Sequence, residues 1–387
     1  MLYEIIDIFE ALKITLCMKK SVTLLFVLCF LFSCRSSRNE NTENVYTINV
    51  DEAQKSDFYS MFDSMTYIPL ETIEDHEIGK IDRVLYHDGK YFILDGLTNK
   101  VFVFKNDGKY YSVIDAVGNG PGEYVQITDI TIDKFNNVVK ILDSMQNKIV
   151  AYDLEGHFIG ETKLSVSYAP IHFCQVDKDM YAFDLQRSSN EKEWQYNLSI
   201  NSEEFSEPIR KFLPYDKALN VCFSPRITLQ DVNGEIIFIP LYSSTIYTVG
   251  PLDVKPRYVF DFGDKWVSQD FIDIEWTDPV EFMNKLEAVN FVYYFNSLES
   301  GSHIYAEFVY KENKYHLVID KETDHLVLQQ ETEAHKCPYA ERPMCCVGNQ
   351  FIIPLTPSEY NSMIGEDVVQ LPEDNNPVLM FATFKKF

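Results

Sequence analysis

The chain has 387 residues, 46% of them apolar and 14% aromatic, enough to bury a large core in one or two domains. The formal charge is −25, and since Lys13, Lys19 and Lys20 balance Glu4, Asp7 and Glu10 at the start, the acidic excess lies beyond residue 33. A field of that sign repels nucleic acid and anionic membrane surfaces, and suits cationic or neutral ligands.

In chain order, the first recognisable element is an export signal. Met18-Lys19-Lys20 is a basic start, and SVTLLFVLCFLFS (21–33) is an apolar run shorter than the roughly 20 residues a spanning helix needs. The run ends in Leu-Phe-Ser-Cys, similar to a lipoprotein signal peptide, in which the cysteine after the cleavage point is acylated. Cys34 is therefore the predicted lipidation site. Residues 1–17 carry acids where such a signal needs bases, which places the expected start at Met18. The expected organisation is a signal peptide to residue 33, a lipidated polar tether over 34–44 and one folded domain over 45–387. Cys174, Cys222, Cys337, Cys345 and Cys346 remain in the mature body, an odd number without regular spacing. That is no disulfide framework, although a local bridge from Cys337 to Cys345 or Cys346 stays open.

From VYTINV (45–50) onward the pattern is short strand, turn, short strand, with one helical period at DPVEFMNKLEAVNF (278–291). A repeat decides the architecture. Residues 81–111 align with 127–159 at a constant offset, placing Ile93 on Ile141, Leu94 on Leu142, Asp95 on Asp143, Asn99 on Asn147, Lys100 on Lys148 and Gly108 on Gly156. Phe104 likewise falls on Tyr152 and Tyr110 on Phe158. Each unit reads as four antiparallel strands, which at this period is the pattern of a β-propeller blade. The glycine of the last turn is expected at positive φ. Later units are degenerate, and residues 66–387 allow about 54 residues for each of six blades. The predicted fold is an all-β, six-bladed β-propeller, closed when an N-terminal strand, VYTINV or MTYIPL, joins the blade that ends in PVLMFATF.

VGNGPGEY (117–124) falls between the two clear repeats and imitates a phosphate cradle. Gly118 and Gly120 fit the dinucleotide spacing G-x-G-x-x-G, but Glu123 occupies the third glycine's place and would repel a phosphate. The stretch reads instead as an inter-blade crossing. Gly118, Gly120 and Gly122 supply backbone freedom, Pro121 fixes one φ, Glu123 accepts backbone N–H bonds and Tyr124 packs at the blade interface.

These residues, with TYIPLET (66–72), NKVFVF, ITDITID, NKIVAYDLEGHF, YVFDFGD and NNPVLMFATFKKF, resemble the six-bladed β-propeller lipoproteins of Gram-negative gut bacteria. That family is related to NHL-repeat propellers and has long carried the label of a domain of unknown function. The resemblance implies the fold and a cell-envelope location. It brings no catalytic residue to transfer.

Candidate chemistry is sparse. None of the eight histidines has a paired metal-ligand spacing, and His172, in YAPIHF, is the best candidate for the propeller axis, with a merely hydrogen-bonded histidine as its alternative. His335, Cys337, Cys345 and Cys346 form a His/Cys cluster, but adjacent cysteines on a strand face opposite ways. Asp95 and Asp143 recur at equivalent turns, as turn-bonding residues do. NFVYYFNSL (290–298) suits a sugar-stacking surface or a buried strand, with the core preferred. The expected function is a non-enzymatic binding or scaffold module, held at the outer membrane by its lipid, for a glycan, a peptide or an envelope protein. The competing expectation is a lyase or hydrolase with an axial metal. No cofactor is predicted, although axial Ca²⁺ or Zn²⁺ from distant blades would escape any spacing rule.

Overall fold

The computed structural model describes residues 44–387 except 75, 165–169, 220–226, 333–342 and 366–367. Six sheets make six blades. Blade 1 contains Ile81–His87, Lys90–Asp95, Lys100–Lys105 and Tyr110–Ile114; blade 2 contains Asp129–Asp133, Val138–Asp143, Lys148–Asp153 and Phe158–Lys163. Blade 3 is built from His172–Asp177, Met180–Asp184, Tyr196–Ser202 and Arg210–Pro214, and blade 4 from Leu229–Val232, Glu235–Phe238, Thr245–Val249 and Val254–Asp261. Blade 5 contains Tyr293–Glu299, His303–Tyr310, Asn313–Asp320 and Leu326–Glu331. Cys345–Val347, Gln350–Leu355 and Val378–Phe384 form the first three strands of blade 6.

The fourth strand of blade 6 comes from the other end of the chain. Phe62–Pro69, which includes all of MTYIPL but its last residue, pairs antiparallel with Val378–Phe384 and closes the ring, as the sequence predicts. VYTINV does something different. Asn44–Thr47 pairs parallel with the outer strand of blade 4, and Gln54–Ser56 pairs parallel with that of blade 5. The N-terminal segment thus straps the outer edges of two blades before completing a third, and covers their unpaired backbone groups.

The sequence periodicity explains why the blades stack. Along Lys90–Asp95, Phe92 and Leu94 pack toward blade 2 while Tyr91 and Ile93 pack toward blade 6. Successive side chains leave a strand on opposite faces, and here both faces are buried, so the strand reads as a continuous apolar run. Six apolar clusters occupy the six seams between neighbouring blades, giving an annular core. The two clear repeats agree down to backbone sign: Asn99 and Asn147 have φ of 60° and 50°, and Gly108 and Gly156 have φ of 81° and 90°. The predicted helix runs over Pro279–Ala288 with Asp278 as N-cap. With the short helix Gln269–Ile272 it forms a separate apolar cluster between blades 4 and 5. A further helix, Pro357–Met363, interrupts blade 6 and starts with a capping box between Thr356 and Glu359.

Candidate binding site at the propeller axis

In each blade the first strand is innermost, and residues from all six line one cavity of about 400 Å³. Residues of the turns after these strands, such as Asn233, Gly234 and Gly348, line it too and are exposed, so the cavity opens at that end of the ring. Its walls are mostly aliphatic, from Val84, Ile132, Leu229, Leu298 and Met344 among others, with the thiols of Cys174, Cys345 and Cys346. Burial pushes the Cys174 and Cys345 thiols up to about 12, and Cys346 is raised as well. At neutral pH all three are protonated, weakly polar wall groups rather than nucleophiles.

The polar groups of the cavity are anchored across blades. Arg83, only 4% exposed, donates to Asp129 of blade 2 at 2.5 Å and to the Leu229 carbonyl of blade 4 at 3.0 Å. The other carboxylate oxygen of Asp129 accepts the Phe173 N–H of blade 3 at 2.9 Å. One buried ion pair therefore links four blades. Lys134 and Asp231 pair across the mouth, and Glu299 is clamped by the Nε and one terminal nitrogen of Arg257, at 2.8 and 2.9 Å, and by Lys321 at 2.6 Å. Burial works to raise the Glu299 carboxyl, but Arg257 and Lys321 outweigh it and hold the group below the usual carboxylate range. Gln230 donates to the Ser297 carbonyl of blade 5 at 2.6 Å. Two buried atoms in the lining are left without a hydrogen-bond partner: the donor Arg83 Nε and the acceptor Gln230 Oε1. An unmade buried hydrogen bond is costly, so the cavity favours a ligand that accepts at one point and donates at the other. The cationic groups already have carboxylate partners, which favours an uncharged ligand.

The sequence matches the DUF5128 family, a 6-bladed beta-propeller family, over residues 36–354. The chain belongs to this family. No curated protein matches the sequence. Among solved structures, this DUF5128 propeller is similar to a protein of Bacteroides fragilis described as exported, with a TM-score of 0.75 and 17% identity over 89% of this chain and 100% of that one. A member of the DUF4221 family from Bacteroides vulgatus gives a TM-score of 0.53 and 11% identity over 84% of this chain and 97% of its own. At these identities the likeness is one of fold.

The residues singled out in the sequence fall in several places in the DUF5128 ring. Cys34, His335 and Cys337 lie outside the described residues, as does Cys222. His172 does begin the innermost strand of blade 3, yet it is not part of the cavity lining. Its Nδ1 lies 3.0 Å from the Thr228 hydroxyl, which also donates to Asp184 at 2.6 Å, a hydrogen-bonded seam between blades 3 and 4. Among the described residues no three His, Cys, Asp or Glu side chains are placed to hold a metal ion. In the crossing between blades 1 and 2, Glu123 accepts the Gly120 N–H at 2.7 Å, and a Cβ on Gly118 would lie 2.0 Å from that carboxylate. Gly122 has φ of 75°, and Pro121 precedes it in the turn. Tyr124 is fully buried, its hydroxyl 3.1 Å from the Ile114 carbonyl and its ring edge-on to Tyr152 of blade 2. Asp95 accepts backbone N–H groups of Gly79, Lys80, Leu97 and Thr98, and Asp143 those of Val125 and Gln146. Tyr293 and Phe295 of NFVYYFNSL are core, at 3% and 5% exposure. Sequence reasoning missed the axial polar set; the available signal was Arg83, a lone cation inside the apolar strand IDRVLYH.

Proposed function

We propose that the protein is an exported lipoprotein, anchored to the outer membrane through Cys34, whose propeller binds a ligand without transforming it. The observation that carries the binding reading is that two residues lining an open, mostly aliphatic cavity keep buried atoms without partners, Arg83 Nε and Gln230 Oε1. A cavity of this size suits a small moiety, and uncharged amide or hydroxyl groups satisfy both atoms. The ligand is then the uncharged end of a peptide or glycan, or a loop of an envelope protein. Protonated thiols supply no nucleophile, which supports binding over catalysis. The export reading rests on the basic-apolar-Cys start and on the exported description of the Bacteroides fragilis relative.

The rise in melting temperature on adding a ligand reads binding to the folded protein. Libraries of neutral tripeptides and neutral oligosaccharides are screened for members that raise it, and Gln230→Leu is expected to abolish the rise in a protein that still unfolds cooperatively, at a cost of about 1–3 kcal/mol for the lost bond to the Ser297 carbonyl. A rise that survives Gln230→Leu, or a library with no stabilising member, overturns the reading. Stoichiometric Ca²⁺ or Zn²⁺ in the purified protein favours the competing axial-metal enzyme. Radiolabelled palmitate incorporation that persists in Cys34→Ala removes the anchor.

A further inference from the structure

A second groove, of about 630 Å³, lies at the rim between blades 3 and 4, beside the short helix Gln269–Ile272. It is formed by the loops after the second strands of these blades and by the end of the last strand of blade 3. By strand direction this is the opposite end of the ring from the axial mouth, so the two sites do not share an entrance.

Arg187, Asn197, Tyr215, Tyr242, Trp266 and Asp273 carry its chemistry. Arg187 is 7% exposed; one terminal nitrogen donates to the Lys217 carbonyl at 3.0 Å and to Asp273 at 3.2 Å, and the guanidinium lies over the Tyr215 ring. Asn197, 9% exposed, donates to the Leu213 carbonyl at 2.8 Å. After these bonds, the donor Arg187 Nε and the acceptor Asn197 Oδ1 remain buried and unpartnered. Strained backbone gathers at the same place: Arg187, Leu213 and Tyr242 have φ of 50°, 56° and 55°, a region that bulky residues rarely occupy. Such strain persists where the surrounding structure enforces it, and binding sites are a recurrent setting.

The ligand chemistry follows by elimination. An anion is disfavoured because Asp273 already meets the Arg187 charge, and Asp273 is itself fixed by Gln269 at 2.7 Å. A purely apolar group leaves both orphan atoms unpaired. A hydroxyl both donates and accepts, and a ring that carries hydroxyls at its edge and C–H groups on its face also suits the aromatic wall of Tyr242 and Trp266. We propose that this groove is a binding site for an uncharged pyranose ring, separate from the axial cavity.

The full chain is applied to an array of neutral oligosaccharides, with neutral tripeptides on the same surface. Retention of at least one pyranose-containing glycan is expected. Arg187→Lys keeps the charge and removes the Nε–H, and Asn197→Ala removes the acceptor; each is expected to weaken retention about tenfold. Should Asn197→Ala fail to fold, Arg187→Lys decides together with Gln269→Ala, which changes an exposed residue of the rim. The proposal is overturned if no neutral glycan is retained, if retention is undiminished in the folded variants, or if the tripeptides bind in place of glycans. Gln230→Leu alters the axial cavity and Arg187→Lys the rim groove, so failure of one site is distinguishable from failure of the other.

Discussion

Blades 1 and 2 repeat each other residue by residue, down to the left-handed Asn99 and Asn147 and the paired turn glycines. Blades 3 to 5 keep the four-stranded frame but add the loop 185–195, the helical insertion and, at the outer edges of blades 4 and 5, the parallel strap. The difference teaches where this fold tolerates change. Turns that face solvent can lengthen without disturbing the seams, because the stacking energy comes from the alternating strand residues. The rim groove sits in the diverged half, whereas the axial cavity draws on every blade and cannot drift in one blade alone.

That contrast can be broken in order of expected effect. Asp129→Ala leaves the Arg83 guanidinium buried without its partner at the hub of four blades, and is expected to cost about 3–5 kcal/mol in urea unfolding. The double change Arg83→Met with Asp129→Leu should recover most of it; a cost below about 1 kcal/mol for Asp129→Ala would remove the hub from the account. Next come the regular blades. Gly108→Ala places a Cβ 2.3 Å from the Pro69 carbonyl at φ of 81°, with an expected loss of about 1–3 kcal/mol. Gly160→Ala, with open space around it, is expected to stay within about 0.5 kcal/mol, so equal melting temperatures for the two would contradict the packing described. The smallest of the destabilising changes lies in the insertion of blade 6, where Thr356→Ala removes a helix cap and should cost about 1 kcal/mol by the same measurement.

The fold was legible because one pair of blades still carries the repeat, and MTYIPL and PVLMFATF both read as strands that need an edge partner. The strap was not, because parallel pairings of three and four residues leave no periodic trace. The helix at Pro357–Met363 did announce itself, in the Thr-Pro-Ser-Glu capping box, and was masked by the strand on either side. Site residues were harder. Gln230, Asn197 and Arg187 are each ordinary in their local sequence, Arg83 alone stands out from its strand, and only the ring brings these residues into cavity linings. His172 shows the converse: its strand lies where expected, yet the side chain serves a seam.

Closing the ring by joining the chain's two ends imposes a timetable on its making. Thr72 meets Asn376 across 304 residues, and Phe62–Pro69 has no sheet to join until Val378–Phe384 exists. A nascent chain therefore holds an open arc with a vacant outer edge at its last blade, and pays its largest loop-closure entropy at the final step. Completion is thus deferred until Val378–Phe384 has been made, so every earlier blade first folds against an unfinished ring.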